Sequence, residues 1–208
     1  MQLEAEPIGC IDIRNSQPAI LGNLLTTGVP PEWAKRCLNI KIHPRSPSSL
    51  PLPRLSLPPP ASVVSFAGLS SSGLLYDELA ELCKRDRDFV KRRFLVDVLA
   101  KRGKYPSDVE DEFRKKFPDA WEAIQRINRT SHCNLIRVLQ ELEARLVIEE
   151  VSPELIDRLP VVTLHDAVYS RERDLGQVEE AFDQVLERIG WKLSFRPETT
   201  GGEKDATR

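Results

Sequence analysis

The sequence predicts an α+β fold in which a small antiparallel sheet is backed by helices. Three observations predict it. A short apolar run, "PIGCIDI", stands near the N-terminus, and a second apolar run, "VVTLHDAVYS", is broken by His-Asp as in a hairpin. Between and after these runs, apolar residues recur at helical spacing. The order strand, helices, hairpin, helix, strand is typical of the α+β class.

Residues 1–41 are predicted to hold the first strand, at 7–13, and two short helices. One helix begins near Pro18, which the first turn tolerates, and the other covers 30–38. Residues 42–73 are predicted as a Pro/Ser-rich insertion. Because proline has no backbone N–H, "IHPRSPSSLPLPRLSLPPPA" cannot supply donors to a helix or sheet, and we expect it to be extended or disordered. Either a plain linker or a proline-motif ligand for a partner fits it.

Residues 74–130 are predicted as a helical segment with a strongly basic start. Between positions 84 and 104 the chain has nine Lys or Arg and three Asp. This run indicates either a phosphate-facing patch or a solvated helix face. Ser107 and Glu110 form a capping box at the start of a later helix, which Pro118 should kink or split.

Residues 131–198 are predicted to contain a helix at 133–151, the His-Asp hairpin, an amphipathic helix ended by Gly190, and a last strand, "WKLSF". The polar tail from Pro197 onward, and 199–208 in particular, is expected to be disordered.

Composition narrows the class of protein. The net charge is -2. The four cysteines, at 10, 37, 83 and 133, form no C-x-x-C pair, which favours reduced thiols and a cytoplasmic protein. No apolar run approaches the length of a membrane span, and we expect no membrane association or signal peptide.

The candidate chemistry starts from His165-Asp166. An aspartate at a hairpin turn is often only a turn residue. Alternatively, it is a rigidly held acid that binds a divalent cation, and Mg²⁺ prefers such oxygen ligands. A cation site needs a second carboxylate, and Asp12, at the end of the first strand-like run, is the candidate. Arg87 and Lys91 share a helix face four residues apart and would suit a triphosphate.

The series "IDIRNSQPAIL", "RDFVKRRF", "LQELEARLV" and "TLHDAVYS" resembles the palm and fingers of family A DNA polymerases and the related single-subunit phage-type RNA polymerases. The resemblance covers about 10–198. It implies a palm-type sheet, a fingers-like helical segment, and template-directed nucleotidyl transfer with two Mg²⁺ ions. The implied partners are a DNA primer-template and nucleoside triphosphates.

The resemblance also implies site residues. Asp12 and Asp166 would be the catalytic, metal-binding carboxylates, with the backbone carbonyl of Ile13 as a further ligand. Three residues would bind nucleotide: Arg87 and Lys91 at the triphosphate, and Gln17 at the sugar 2′ position. Gln140 and His165 would contact nucleic acid at the primer end.

The sequence departs from the family's pattern in several places. Phe94 stands three after Lys91, where the family has an aromatic at four. Leu99 and Ala100 stand where the fingers helix of the family ends in Tyr-Gly. The Pro/Ser-rich insertion has no counterpart. The chain starts about eleven residues before the first motif, so we expect a truncated polymerase whose thumb and N-terminal domains come from a separate chain or from a longer gene. Two alternatives stay open: a non-catalytic nucleic-acid-binding, replication-associated remnant, and an unrelated α+β interaction protein.

Overall fold

The computed structural model describes residues 6–33 and 58–199, which form an α+β fold with one four-stranded antiparallel sheet. The strands are β1 (Ile8–Ile13), β2 (Val162–Leu164), β3 (Ala167–Arg171) and β4 (Phe195–Thr199). The α-helices are α1 (Ser16–Thr26), α2 (Ala61–Ser71), α3 (Leu75–Cys83), α4 (Arg87–Arg93), α5 (Asp108–Lys116), α6 (Pro118–Ile127), α7 (Asn134–Ala144), α8 (Ser152–Leu155) and α9 (Leu175–Ile189). The predicted fold class is therefore confirmed.

The sheet has the order β2-β3-β1-β4. The central strand β1 pairs with β3 on one side and β4 on the other, so that Asp12 lies opposite Ala167 and also opposite Arg196. Alternate residues of β1, including Ile11 and Ile13, are buried against the helices. This register brings the end of β1 beside the turn of the β2–β3 hairpin.

The helix α2 lies inside the segment 42–73 that the sequence assigned to the insertion, and it begins where the Pro/Ser-rich stretch ends, at Ala61. The sequence reasoning did not predict this helix. Val63 and Phe66 of α2 are buried, and α1 packs closely on it. A Cβ at Gly22 would lie 2.8 Å from Cα of Ala67, so glycine is what allows the two backbones to approach. The rest of the insertion, 42–57, and most of the predicted helix at 30–38 lie outside the described residues.

The helical segment after α2 is held by aromatic packing. Phe66, Phe94, Phe113 and Phe117 form edge-on and tilted ring pairs with centroids 5.2–5.7 Å apart. The Ser107 hydroxyl accepts from the Glu110 N–H, which confirms Ser107 as the N-cap, whereas the Glu110 carboxylate pairs with Lys101. The helices α5 and α6 divide at Pro118 as predicted. Two π-helical segments, Phe94–Leu99 and Arg145–Val151, continue α4 and α7.

The C-terminal strand differs from its prediction. β4 covers Phe195–Thr199, whereas "WKLSF" ends where β4 begins. Trp191 is buried beside Trp33 and belongs to the hydrophobic core rather than to the strand. Pro197, expected in a disordered tail, pairs with Ile11 in β4, because an edge strand tolerates a residue without an N–H. Within the described ranges, none of the helices has the length and apolarity needed to cross a membrane.

Candidate functional site

A cleft of about 770 Å³ opens where β1 and the β2–β3 hairpin meet α1, α4 and α7. All eight residues that the sequence singled out line it: Asp12, Ile13, Gln17, Arg87, Lys91, Gln140, His165 and Asp166. They come from five separate elements of the chain. Folding therefore brings together residues that up to 154 positions of sequence separate, from Asp12 to Asp166.

Backbone pairing sets the two aspartates side by side. Asp12 is opposite Ala167 in the β1–β3 register, and the Ile13 N–H donates to the Asp166 carbonyl at 3.3 Å. His165 has φ of 54° in the two-residue turn that joins β2 to β3. A left-handed residue in such a turn matches the twist of the paired strands, and histidine tolerates this region better than most residues. The turn thus presents His165 and Asp166 at the cleft.

Electrostatics indicates that Asp12 and Asp166 are close enough to interact. The pKa of Asp12 is raised above its ordinary value, first because the carboxyl is partly buried and second because it faces the charge of Asp166. Arg196 and Lys91 lower that pKa. Two carboxylates that repel each other in one cleft are stabilised by a cation between them.

The two predicted triphosphate contacts differ in what surrounds them. Arg87 pairs with Asp77 at 3.0 Å and lies over the ring of Tyr76, with 5.8 Å to the ring centroid. Lys91 is exposed and, within residues 6–33 and 58–199, makes no ion pair. Lys91 is therefore the cation of this helix that is free to bind an anion in the cleft.

The two glutamines approach the cleft from different helices. Gln17 is in the first turn of α1, after Asn15, which has φ of 49°. The Gln17 Oε1 atom is buried and makes no hydrogen bond to the described part of the chain. Gln140 lies on the exposed side of α7. Both amides thus stand at the cleft wall.

Sequence reasoning missed Glu143, a third carboxylate in the cleft. Glu143 accepts a hydrogen bond from the hydroxyl of Ser16, which joins α7 to the start of α1. Its pKa is raised, chiefly by burial and then by Asp166 and Asp12, while the Ser16 hydrogen bond and His165 oppose the shift. The signal was present, since Glu143 follows Gln140 by three residues and so shares its helix face.

Sequence reasoning also missed Tyr76 and Arg196. Leu99, at the position where the sequence resemblance implies an aromatic, is fully buried. Tyr76, from α3, supplies the aromatic in the cleft wall, and its ring packs against Phe94 at 5.7 Å. Arg196 reaches the cleft from β4, opposite Asp12. No local pattern identified these residues, because both positions depend on tertiary packing.

The basic run at 84–104 is partly neutralised within the fold. Arg85 pairs with Asp108, Arg93 with Asp97, and Lys101 with Glu110. The cations Lys84, Arg92, Arg102 and Lys104 are exposed. The run is thus in part a set of intramolecular ion pairs and in part an exposed basic surface.

The donor set at the end of β1 suits a hard divalent cation, because carboxylate oxygens of Asp12 and Asp166 face one cleft. In the described ranges, His, Cys, Asp and Glu form no group of three or more arranged to hold a metal ion. A two-carboxylate site that completes its coordination with water and substrate oxygens does not need such a group.

Among known proteins, no family model matches the chain, and no curated protein is significantly similar to it.

Proposed function

We propose that the chain is a palm and fingers module of the family A polymerase type, which transfers nucleotides from nucleoside triphosphates to a DNA primer on a template. One observation carries the proposal. The residues taken from four separate sequence motifs line a single cleft. A chance resemblance in short motifs gives no reason for them to meet.

The side chains divide into an acidic floor and a cationic wall. Asp12 and Asp166, with the Ile13 carbonyl, would hold Mg²⁺. When bound, two such ions clamp the attacking and leaving oxygens of a phosphoryl transfer. Lys91 and Arg87 would bind the triphosphate and offset the charge that develops on it. This division fits a reaction in which the protein supplies position and charge more than covalent chemistry.

The other polar residues would position the nucleic acid. His165, exposed at the hairpin turn, would lie beside the primer end, and Gln140 would contact nucleic acid near the same end. Gln17 would approach the sugar 2′ position. We further propose that a separate chain or domain contributes to the grip on the duplex.

Primer extension with Mg²⁺ tests the proposal. We expect Asp12→Asn and Asp166→Asn each to lower incorporation by at least about 10³-fold, roughly 4 kcal/mol in activation free energy, because each variant removes a charge that holds the cation. Asp157→Asn is the matched control, since Asp157 is an exposed aspartate outside the cleft. Incorporation that survives both cleft substitutions would contradict the assignment of these aspartates.

A second outcome distinguishes the catalytic proposal from the non-catalytic alternative. If the wild-type chain incorporates no nucleotide under any of these conditions, the catalytic proposal fails. Salt-sensitive DNA binding that persists in Asp166→Asn would then support a nucleic-acid-binding remnant that uses the exposed cations of the 84–104 run.

A further inference from the structure

Arg196 occupies an unusual position for a cation, directly against one of the two cleft aspartates. Nη2 of Arg196 lies 3.5 Å from Oδ2 of Asp12, and the same guanidinium pairs with Glu198. The position does not depend on a loop, because residues 196 and 12 are direct partners in the β4–β1 register. The sheet therefore delivers a positive charge to the place where a divalent cation would have to bind.

The Arg196–Asp12 contact is weak enough for Arg196 to leave Asp12 for another partner. Its 3.5 Å separation is longer than the usual 2.7–3.2 Å of an N–H···O hydrogen bond. The Arg196 side chain is 55% exposed, so water competes with the pair. Glu198 offers the guanidinium a second partner on the same strand. Arg196 can therefore leave Asp12 at little cost.

The cleft also places Arg196 within reach of an anionic substrate. Arg196 and Lys91 act on the same carboxyl group of Asp12, one from β4 and the other from α4. A phosphate group held between these two elements would meet a cation on each side. A guanidinium binds phosphate through two parallel N–H donors, which a lysine cannot do.

We propose that, in the free protein, the Arg196 guanidinium occupies the position beside Asp12 where a divalent cation would bind. When a divalent cation takes that position, Arg196 turns to the phosphate groups of the substrate. This inference rests on the proposed function and adds a residue to its substrate site. It makes occupation of the metal position and recognition of the triphosphate mutually dependent.

The first measurement is Mn²⁺ binding in the absence of nucleotide, followed by the electron paramagnetic resonance signal of free Mn²⁺. We expect Arg196→Ala to bind Mn²⁺ about two- to fivefold more tightly than wild type, because an exposed ion pair no longer competes for Asp12. Arg196→Lys, which keeps the charge, should bind Mn²⁺ as wild type does.

The second measurement is equilibrium dialysis of dATP at saturating Mn²⁺. We expect Arg196→Ala to bind dATP about tenfold more weakly, since a charged hydrogen-bond donor to phosphate is lost. Arg196→Lys should fall between wild type and Arg196→Ala, because it retains the charge without the two-donor geometry.

Arg126→Ala controls for the loss of one positive charge, since Arg126 forms an exposed pair with Glu122 on α6, away from the cleft. Thermal unfolding of each variant checks that it is folded. Opposite shifts in Mn²⁺ and dATP affinity support the inference, whereas failure of either shift in folded Arg196→Ala overturns it. If wild type itself binds no Mn²⁺, the proposed function fails and this inference fails with it.

Discussion

Two aspartates of this molecule, Asp97 and Asp12, differ in how the protein compensates their negative charge. Asp97, in the π-helical segment after α4, is fully buried and accepts hydrogen bonds from Tyr105 Oη at 2.7 Å and Ser107 Oγ at 2.6 Å. It also forms an ion pair with Arg93, whose Nε lies 2.7 Å away. Asp12, in the cleft, has Arg196 at 3.5 Å and faces Asp166. The protein therefore satisfies one carboxylate completely and leaves the other in need of a cation.

The comparison distinguishes structural from functional polar groups. A fully buried carboxylate with two hydrogen-bond donors and an ion-pair partner stabilises the fold and is not accessible to a ligand. A carboxylate placed beside another carboxylate costs stability, and such an arrangement is characteristic of binding and catalytic sites. Arg87 and Lys91 show the same contrast. Arg87 forms an ion pair with Asp77, whereas Lys91 makes no ion pair in the described structure.

The largest effect is expected from removing the satisfied aspartate. Asp97→Ala should lower the free energy of unfolding by about 3 kcal/mol, because the donors of Arg93, Tyr105 and Ser107 lose their common acceptor. Asp12→Ala should cause no comparable loss, since it relieves repulsion. Urea unfolding of both variants measures the difference, with Asp157→Ala as the exposed control. Equal destabilisation by the two substitutions would show that Asp97 and Asp12 do not differ in their contribution to stability.

A smaller effect should separate the two cations of α4. Lys91→Ala should weaken Mn²⁺-dependent dATP binding about tenfold, or about 1.4 kcal/mol, because Lys91 is free to bind the anion. Arg87→Ala should weaken it by about twofold, since Asp77 already uses part of that charge. Equilibrium dialysis of the two variants makes the comparison. A larger loss of dATP affinity in Arg87→Ala than in Lys91→Ala would show that the ion pair with Asp77 does not keep the Arg87 guanidinium from binding the nucleotide.

The smallest effect concerns the third cleft carboxylate and depends on pH. The pKa of Glu143 is raised in the folded protein, so the folded state binds its proton more strongly than the unfolded state does. The contribution of Glu143 to stability is therefore full below its ordinary pKa, near 4.3, and is lost as the pH rises through the raised value.

Glu143→Gln tests this directly, because glutamine keeps the shape of the protonated acid and an acceptor for Ser16. We expect the variant and wild type to have equal stability near pH 4, and the variant to be more stable by about 0.5–1 kcal/mol at pH 7. Thermal unfolding without metal measures the difference, and Glu122→Gln, at an exposed position of α6, is the control. A variant that is less stable than wild type at pH 7 would contradict the pKa shift.

Local sequence determined the elements well where a short-range physical rule applies. Ser107 caps α5, Pro118 separates two helices, and Gly190 ends α9 with φ of 72°, each for a reason contained within a few residues. The His-Asp hairpin was predictable because alternating apolar residues flank a two-residue turn. The helix α2, which was not predicted, and the strand β4, whose bounds were predicted wrongly, lie where long-range packing stabilises a segment with weak local signals.

The candidate site divides in the same way. Asp12, Asp166, Lys91 and Gln140 were available from the sequence, because each belongs to a compact motif. Tyr76 and Arg196 were not, since their neighbours in the cleft come from distant parts of the chain. Glu143 was missed although it shares a helix face with Gln140. Sequence alone determined which chemical groups the protein carries and on which elements most of the predicted ones lie. Only the tertiary structure decided which charges face each other, because the β1–β3 and β1–β4 registers set those distances.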